Sequence, residues 1–311
     1  MPEIKEFKFK SSDGKHDINV RICVPEGKPK GIVQIAHGIA EHSRRYEVFL
    51  QFLAENGYVA AANDHLGHGK SVADESELGF FAEKDGWKYV VDDIQLLHKK
   101  LCADYPGVPS FLFGHSMGSF LTRTYIVKYP EELDGAIICG TGQQAAAIVA
   151  GGRFLSWLVC LFKGRKYRSK FLEGLAFGTY NKEFEPIRTI CDWLSRNEAS
   201  VDDYIADPLC GFRATAGIFN DMMGGIAFVG KKSNIAKVRK DLPVFFIAGA
   251  KDPVGEDGKG VKKVYNAFKE AGVADVDIKL YPECRHEILN ELNGDEVMGD
   301  VLAFIEKISK K

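Results

Sequence analysis

The stretch Ser110-Phe111-Leu112-Phe113-Gly114-His115-Ser116-Met117-Gly118-Ser119-Phe120-Leu121 decides the fold. A short apolar run meets a Gly-x-Ser-x-Gly turn, and a helix-like stretch, residues 120–127, follows it. A strand that turns sharply into a helix with serine at the apex is the context of a nucleophile elbow. The flanking glycines matter because backbone meets backbone in such a turn, and a Cβ would clash. The turn projects the Ser116 hydroxyl clear of the sheet. The Met117 N–H, at the helix start, is then placed to donate to an oxyanion.

A hydroxyl at neutral pH is a poor nucleophile. It needs a base, and the base needs an orienting group. In this strand–turn–helix setting the partners follow in the order serine, acid, histidine. Residues 242–249 read as a buried strand, and Asp252 lies just past its end, before Pro253. Asp-Pro is also a common turn opener, so Asp252 alone says little. His286 follows the strand-like residues 276–281 and a short loop; it is the last of 8 histidines and the only one after His115. Order therefore leaves one choice of base, and Ser116, Asp252 and His286 are the candidate catalytic residues. The second oxyanion donor is expected after an earlier strand, 31–36, in His37-Gly38-Ile39-Ala40. Gly38 lets backbone approach a substrate carbonyl, and the Ile39 N–H is the expected donor, with the register open by one residue.

Around these residues the chain alternates buried strands with amphipathic helices, the mark of a parallel sheet. A hairpin over 4–10 and 17–24 comes first, around Ser12-Asp13-Gly14. Strand 31–36, helix 44–56, strand 58–63, helix 87–104, strand 110–113, the elbow helix and strand 133–139 follow. The alternation then stops. Residues 141–234 read as mixed helices without strands, and the pattern resumes with strand 244–249, helix 260–271, strand 276–280 and a last helix from 295. The expected fold class is α/β: a mostly parallel central sheet flanked by helices, with residues 1–140 and 235–311 as the body and 141–234 as an inserted helical cap.

Such a cap should cover a ligand, because open α/β sheets bind at the C-terminal ends of their strands. Its apolar runs, 145–150 and 154–162, read either as ordinary core or as an acyl-chain channel or interfacial lid. In the functional reading Gly38, His115, Phe154, Trp157 and Leu158 are the candidate substrate contacts. The basic residues Lys163, Arg165, Lys166, Arg168 and Lys170 lie beside the greasy run, as on a helix that rests transiently on a lipid surface.

Composition narrows the class. The chain has 311 residues, 45% hydrophobic and 27% charged, with a formal net charge of −2. No global basicity points to nucleic acid. The 7 cysteines have no CxxC spacing, which favours reduced thiols over a disulfide framework. The first residues are charged rather than signal-like, and no uninterrupted run of about 18 apolar residues is present, so no transmembrane segment and a cytoplasmic location are expected. His65 and His68 sit in a glycine-rich loop that reads as structural; no metal and no cofactor are expected.

Several motifs resemble one family. His37-Gly38-Ile39-Ala40-Glu41-His42-Ser43-x-Arg45-Tyr46, Asp64-His65-x-Gly67-His68-Gly69-x-Ser71 and Gly114-His115-Ser116-Met117-Gly118 resemble those of the monoacylglycerol lipase and lysophospholipase-like serine hydrolases, and so do Gly249-Ala250-x-Asp252-Pro253-Val254-Gly255 and His286-Glu287-Ile288-Leu289-Asn290-Glu291. The resemblance implies an α/β-hydrolase fold, a triad of Ser116, Asp252 and His286, a cap with an acyl tunnel, and no cofactor. Ser119 departs from it, since the family's elbow usually continues with glycine. The cap resembles bacterial members, which leaves the alcohol side of the substrate open. The expected activity is carboxylic-ester hydrolysis of a small-molecule, lipid-derived ester such as a monoacylglycerol. A lysophospholipid is second, a small ester is a further alternative, and a non-catalytic binding protein of the same fold is disfavoured because the whole catalytic set is present. A peptide N-terminus is third and would need an acidic anchor among Glu173, Glu183, Glu185, Asp202 and Asp203. Dehalogenase and epoxide hydrolase chemistry is disfavoured, because it uses a carboxylate at the elbow.

Overall fold

A computed structural model describes residues 2–310. The chain opens with the antiparallel hairpin β1 (Ile4–Lys10) and β2 (Asp17–Cys23). It continues through β3 (Gly31–Ala36), α1 (Glu47–Glu55), β4 (Tyr58–Asn63), α2 (Gly86–Asp104), β5 (Ser110–His115), α3 (Met117–Lys128) and β6 (Gly135–Cys139). Five helices follow without a strand: α4 (Ala146–Lys163), α5 (Lys170–Phe177), α6 (Glu198–Ala206), α7 (Ala216–Val229) and α8 (Lys232–Ile235). The alternation resumes with β7 (Val244–Gly249), α9 (Lys259–Glu270), β8 (Val276–Tyr281) and α10 (Gly294–Ser309).

All eight strands form one sheet, in the order β1-β2-β4-β3-β5-β6-β7-β8. The pairings from β4 through β8 are parallel. The inner strands are apolar along their length because both faces of the sheet are covered. Alternate residues of β5 divide between the two layers. Phe111 and Phe113 pack with Phe49 of α1 and Phe304 of α10, whereas Leu112 joins Val90, Leu121 and Ile226 under α2, α3 and α7. The strand–helix alternation legible in the sequence is thus the observed architecture.

Several boundaries differ from expectation by one to three residues, and two of them lie at the site. The helix expected over 44–56 begins as a tight 3-10 turn, Ser43–Tyr46, before α1. The side chains of Arg45 and Tyr46 in this turn bond to Glu41. Strand β5 also runs two residues further, to His115, where it still pairs with Cys139 of β6.

The elbow shows why its glycines are there. Ser116 lies at φ 54°, ψ −119°, a region costly for a side-chain-bearing residue. Helix α3 is pressed onto the sheet: a Cβ on Gly118 would lie 2.0 Å from the Ala36 carbonyl oxygen, and one on Gly114 would lie 2.2 Å from Thr122 Oγ1. Gly118→Ala is therefore expected to lower unfolding free energy by about 3 kcal/mol or more. Gly151→Ala, mid-helix with nothing within 4 Å, should raise it by about 0.5–1 kcal/mol. Urea unfolding of the pair checks both, and a Gly118→Ala protein as stable as the parent would refute the close-packing argument.

Candidate active site

Ser116 directly follows β5, Asp252 follows β7 and His286 follows β8, so all three lie beyond the C-terminal ends of parallel strands. Asp252 and His286 are buried and joined: His286 Nδ1 lies 3.0 Å from Asp252 Oδ1, which also accepts the Val254 N–H at 2.9 Å. On the elbow, the Ser116 N–H donates to the Cys139 carbonyl at 3.0 Å. The ring of neighbouring His115 packs on His286 with centroids 4.7 Å apart. Gly38 faces the serine closely, since a Cβ there would be 3.2 Å from Ser116 Cβ.

The loop after β3 narrows the register left open by sequence. The Gly38 N–H donates to Glu41 Oε1 at 2.6 Å and is therefore occupied. Among the described residues, the Ile39 and Met117 N–H groups donate to no protein acceptor. The Ala40 and Gly118 N–H groups likewise have no protein acceptor, so the occupied Gly38 amide is the one donor that the loop removes.

Glu41 is the hub of this region. Its buried carboxylate also accepts the Tyr46 hydroxyl at 2.9 Å, His115 Nδ1–H at 3.3 Å and Arg45 Nη1–H at 3.3 Å. Arg45 then forks onto both oxygens of Glu287, the residue after His286. One ionic network thereby ties together the loop after β3, the elbow and the loop that carries His286. Sequence reading quoted Glu41, Arg45, Tyr46 and Glu287 only as parts of motifs. The available signal was several charged residues set among apolar neighbours, which are rarely buried unless paired.

His115 corrects an expectation. It was expected to touch substrate, but both ring nitrogens face protein oxygens: Nδ1 donates to Glu41, and Nε2 donates to the His286 carbonyl at 3.2 Å. Only an imidazolium donates at both positions. Burial alone would lower its pKa; the Glu41 hydrogen bond and the Glu41 and Glu287 charges outweigh it and raise it above the ordinary value. Burial would likewise raise Glu41, but His115 and Arg45 hold it well below the usual carboxylate range.

The cap residues are redistributed as well. Helix α4 packs on α7 through Val149, Gly152, Leu155, Ser156 and Val159, a stripe at helical spacing. Its opposite face is therefore turned outward. Phe154 is 57% exposed and Trp157 49%, and both line a cleft away from Ser116, while Leu158 is half-buried and outside that cleft. The reading of the run as ordinary core fails at Phe154 and Trp157, whose outward face is that of the interfacial-lid reading rather than of a channel over the serine. With 18 residues and mean hydropathy 1.5, α4 is also long and apolar enough to cross a membrane by length and composition, which the search for an uninterrupted run missed because Arg153 breaks it. Of the basic run, Arg165 pairs with Asp221 at 2.7 Å and Arg168 bonds the Arg213 carbonyl, so neither is free for lipid headgroups.

The apolar groups next to His286 come from elsewhere. Trp193 lies over its ring at 5.1 Å, with Tyr180 and Phe177 packed on Trp193 at 4.9 and 6.3 Å. The same segment clamps the loop that carries His286: the Glu287 N–H donates to the Leu194 carbonyl at 2.7 Å, and Arg196 pairs with Glu291 at 2.9 Å. Elsewhere, the rings of His37, His65 and His68 pack on one another, and burial pushes His68 down to about 3. Asp64 accepts the Ser43 and Lys70 N–H groups, so this loop is held by its own hydrogen bonds. All 7 cysteines are unpaired.

The Glu41–His115 pair has a pH signature. Glu41 is shifted below its ordinary 4.5, so its stabilisation is full above pH 4.5 and fades as pH falls through the lowered value. His115 is raised above its ordinary 6.5, so its stabilisation is full below pH 6.5 and fades as pH rises through the raised value. The parent protein should thus lose stability on the alkaline side of pH 6.5. In Glu41→Gln that alkaline decline should shrink or vanish, because only the Glu287 charge and the His286 carbonyl are then left to oppose burial at His115. Denaturant titrations from pH 6 to 9 provide the check, and an unchanged slope in the variant would exclude the pairing.

Comparison with known proteins gives the family and the fold. The family described as serine aminopeptidase, S33 matches residues 27–293. A monoacylglycerol lipase of Mycolicibacterium smegmatis is 29% identical over 289 residues, 91% of each chain. A monoglyceride lipase of Rattus norvegicus is 28% identical over 302 residues, 94% of this chain and 86% of the relative. The crystal structure of a highly thermostable carboxyl esterase from Bacillus coagulans, in complex with glycerol, superposes with a TM-score of 0.91 at 34% identity, covering 99% of this chain and 100% of that one. The chain belongs to the serine aminopeptidase S33 family and is a serine hydrolase of the monoglyceride lipase and esterase type, with the α/β-hydrolase fold.

Proposed function

We propose that this protein hydrolyses carboxylic esters of a single acyl chain, monoacylglycerol-like esters first among them, through a Ser116–His286–Asp252 triad and an acyl-enzyme. The observation that carries the reading is the buried Asp252–His286 hydrogen bond of 3.0 Å at the sheet edge where the elbow serine turns. With Nδ1 held by Asp252, His286 Nε2 takes the proton as Ser116 Oγ bonds to the ester carbonyl carbon. The Ile39 and Met117 N–H groups hold the oxyanion. Collapse breaks the bond to the alcohol oxygen, which leaves with the proton from His286, and water repeats the sequence to free the acid and Ser116. No cofactor takes part.

Support for a lipid-like acyl group comes from Phe177, Tyr180 and Trp193 stacked toward His286, and from the similarity to monoacylglycerol lipases. Similarity to a carboxyl esterase favours, as a second reading, a smaller ester. A peptide substrate is disfavoured. Glu183, Glu185, Asp202 and Asp203 are exposed and Glu173 is half-buried, and Glu173 and Asp202 already pair with Arg213 and Arg188.

Ser116→Ala should abolish ester hydrolysis and labelling by a fluorophosphonate probe, with losses on the order of 10⁴–10⁶ in kcat. Asp252→Asn should cost about 10⁴ through the wrong imidazole tautomer. Labelling that persists in Ser116→Ala, or an Asp252→Asn loss below about tenfold, would contradict the triad.

The acyl reading has its own measurement. On p-nitrophenyl esters of two to twelve carbons, kcat/KM should rise about fourfold per methylene until the apolar site ends, at about 0.8 kcal/mol each. Phe177→Ala should flatten the rise and spare the acetate ester. A parent profile that peaks at acetate would leave the small-ester reading in its place.

A further inference from the structure

The exposed face of α4 forms one wall of a second cleft of ≈ 710 Å³, bounded also by the C-terminal end of α7 and by α9. Neither Ser116, Asp252 nor His286 lines it. Its apolar wall is the stacked pair Phe154 and Trp157, with ring centroids 5.9 Å apart. Its charged groups are Arg153 from α4, Lys231 from the residue after α7's cap, and Lys263 from α9. No aspartate or glutamate lines the cleft, and among the described residues none of these three cations has a carboxylate within 4.0 Å.

A second observation points to the sign of the missing partner. Arg123 of α3 is 1% exposed and has no carboxylate partner. Its guanidinium bonds only neutral oxygens: the Thr141 hydroxyl, the Gly142 and Val229 carbonyls, and Gln143 Oε1 at 3.0 Å; its Nε has no partner at all. Burial pushes it down to about 9, the mark of a cation held without a counter-charge. Gln143 lines the cleft, and because its oxygen faces Arg123 its amide nitrogen is left as a donor beside Gly230, on the cleft wall. Lys231 and Lys263 therefore lie at the Gln143 end of the cleft, with buried Arg123 behind Gln143, while Arg153 lies further along α4 beside Gly224. An isolated buried charge is costly unless an opposite charge is supplied.

A cleft of this volume suits a single small ligand. One that pairs an aromatic wall with unopposed cations suits a chain that is apolar along its length and anionic at one end. We propose that this cleft is a second, non-catalytic site for a fatty-acid anion, its carboxylate held by Lys231, Lys263 and the Gln143 amide and its chain laid along Phe154 and Trp157. The choice of a carboxylate rests on the reading of the protein as an ester hydrolase, whose acid product has this form. The charge and the apolar wall do not depend on that reading.

The test uses dodecanoate below its critical micelle concentration, on protein whose Ser116 has been capped by an alkyl fluorophosphonate, with Trp157 emission and equilibrium dialysis as readouts. One equivalent of dodecanoate should still bind the capped protein. Lys231→Glu/Lys263→Glu should weaken it by about tenfold or more, and dodecanol should bind about tenfold more weakly than dodecanoate to the parent. Both lysines are exposed, so the double variant's melting temperature should stay that of the parent. Absence of binding to the capped protein, or an affinity indifferent to charge reversal, would overturn the site. Tighter binding of dodecyl phosphate with dodecanoate excluded would overturn the carboxylate and identify a phosphate amphiphile. Should the probe fail to label Ser116, the hydrolase reading falls by itself, and the same titration on Ser116→Ala protein still judges the cleft.

Discussion

The buried carboxylate of Glu41 is the interaction on which the geometry around Ser116 depends. It accepts hydrogen bonds from a backbone amide, a phenol, an imidazolium and a guanidinium. Through Arg45 it is coupled to Glu287 and so to the loop of His286. A carboxylate removed from water is tolerated only when its oxygens are fully engaged, so every partner constrains the others. Removing one partner would leave an uncompensated charge rather than merely subtract a contact. Three loops from distant parts of the chain are held in one arrangement by this requirement, and the Gly38 amide is turned away from the serine while the next amide stays free.

The second constraint is steric. A serine at φ 54° persists only where its surroundings over-determine it. Here they are the carbonyls of Ala36 and His37 on one side of Gly118, and Thr122 and the Gly118 carbonyl against Gly114. The same closeness carries α3 onto the sheet, so that the positive end of its dipole starts at Ser116. Packing and electrostatics thus act on one atom position from opposite directions.

The helical segment between β6 and β7 is more than a cover. Backbone bonds from Trp193 and Leu194 hold the residues around His286, and Arg123 spans from the elbow helix to both ends of that segment, at Gly142 and Val229. Displacing the segment would disturb the base loop and uncover a buried cation.

Much was legible in the sequence because it was written locally. The alternation of apolar strands and amphipathic helices follows from side-chain periodicity, and the elbow from two glycines at fixed spacing around a serine. Asp252 and His286 could be named because strand ends recur in a known order and only one histidine follows the elbow. What only the tertiary structure decided were questions of facing. His115 stands next to the serine in sequence, but its ring bonds inward to Glu41, and nothing in its neighbours records that. Helix α4 is apolar on several sides, so composition could not say which side is buried. The small residues Gly152 and Ser156 allow α7 to approach there, and this turns Phe154 and Trp157 outward. Periodicity specifies an inward stripe only where the other faces are polar; where they are not, the closest-packing partner chooses the face.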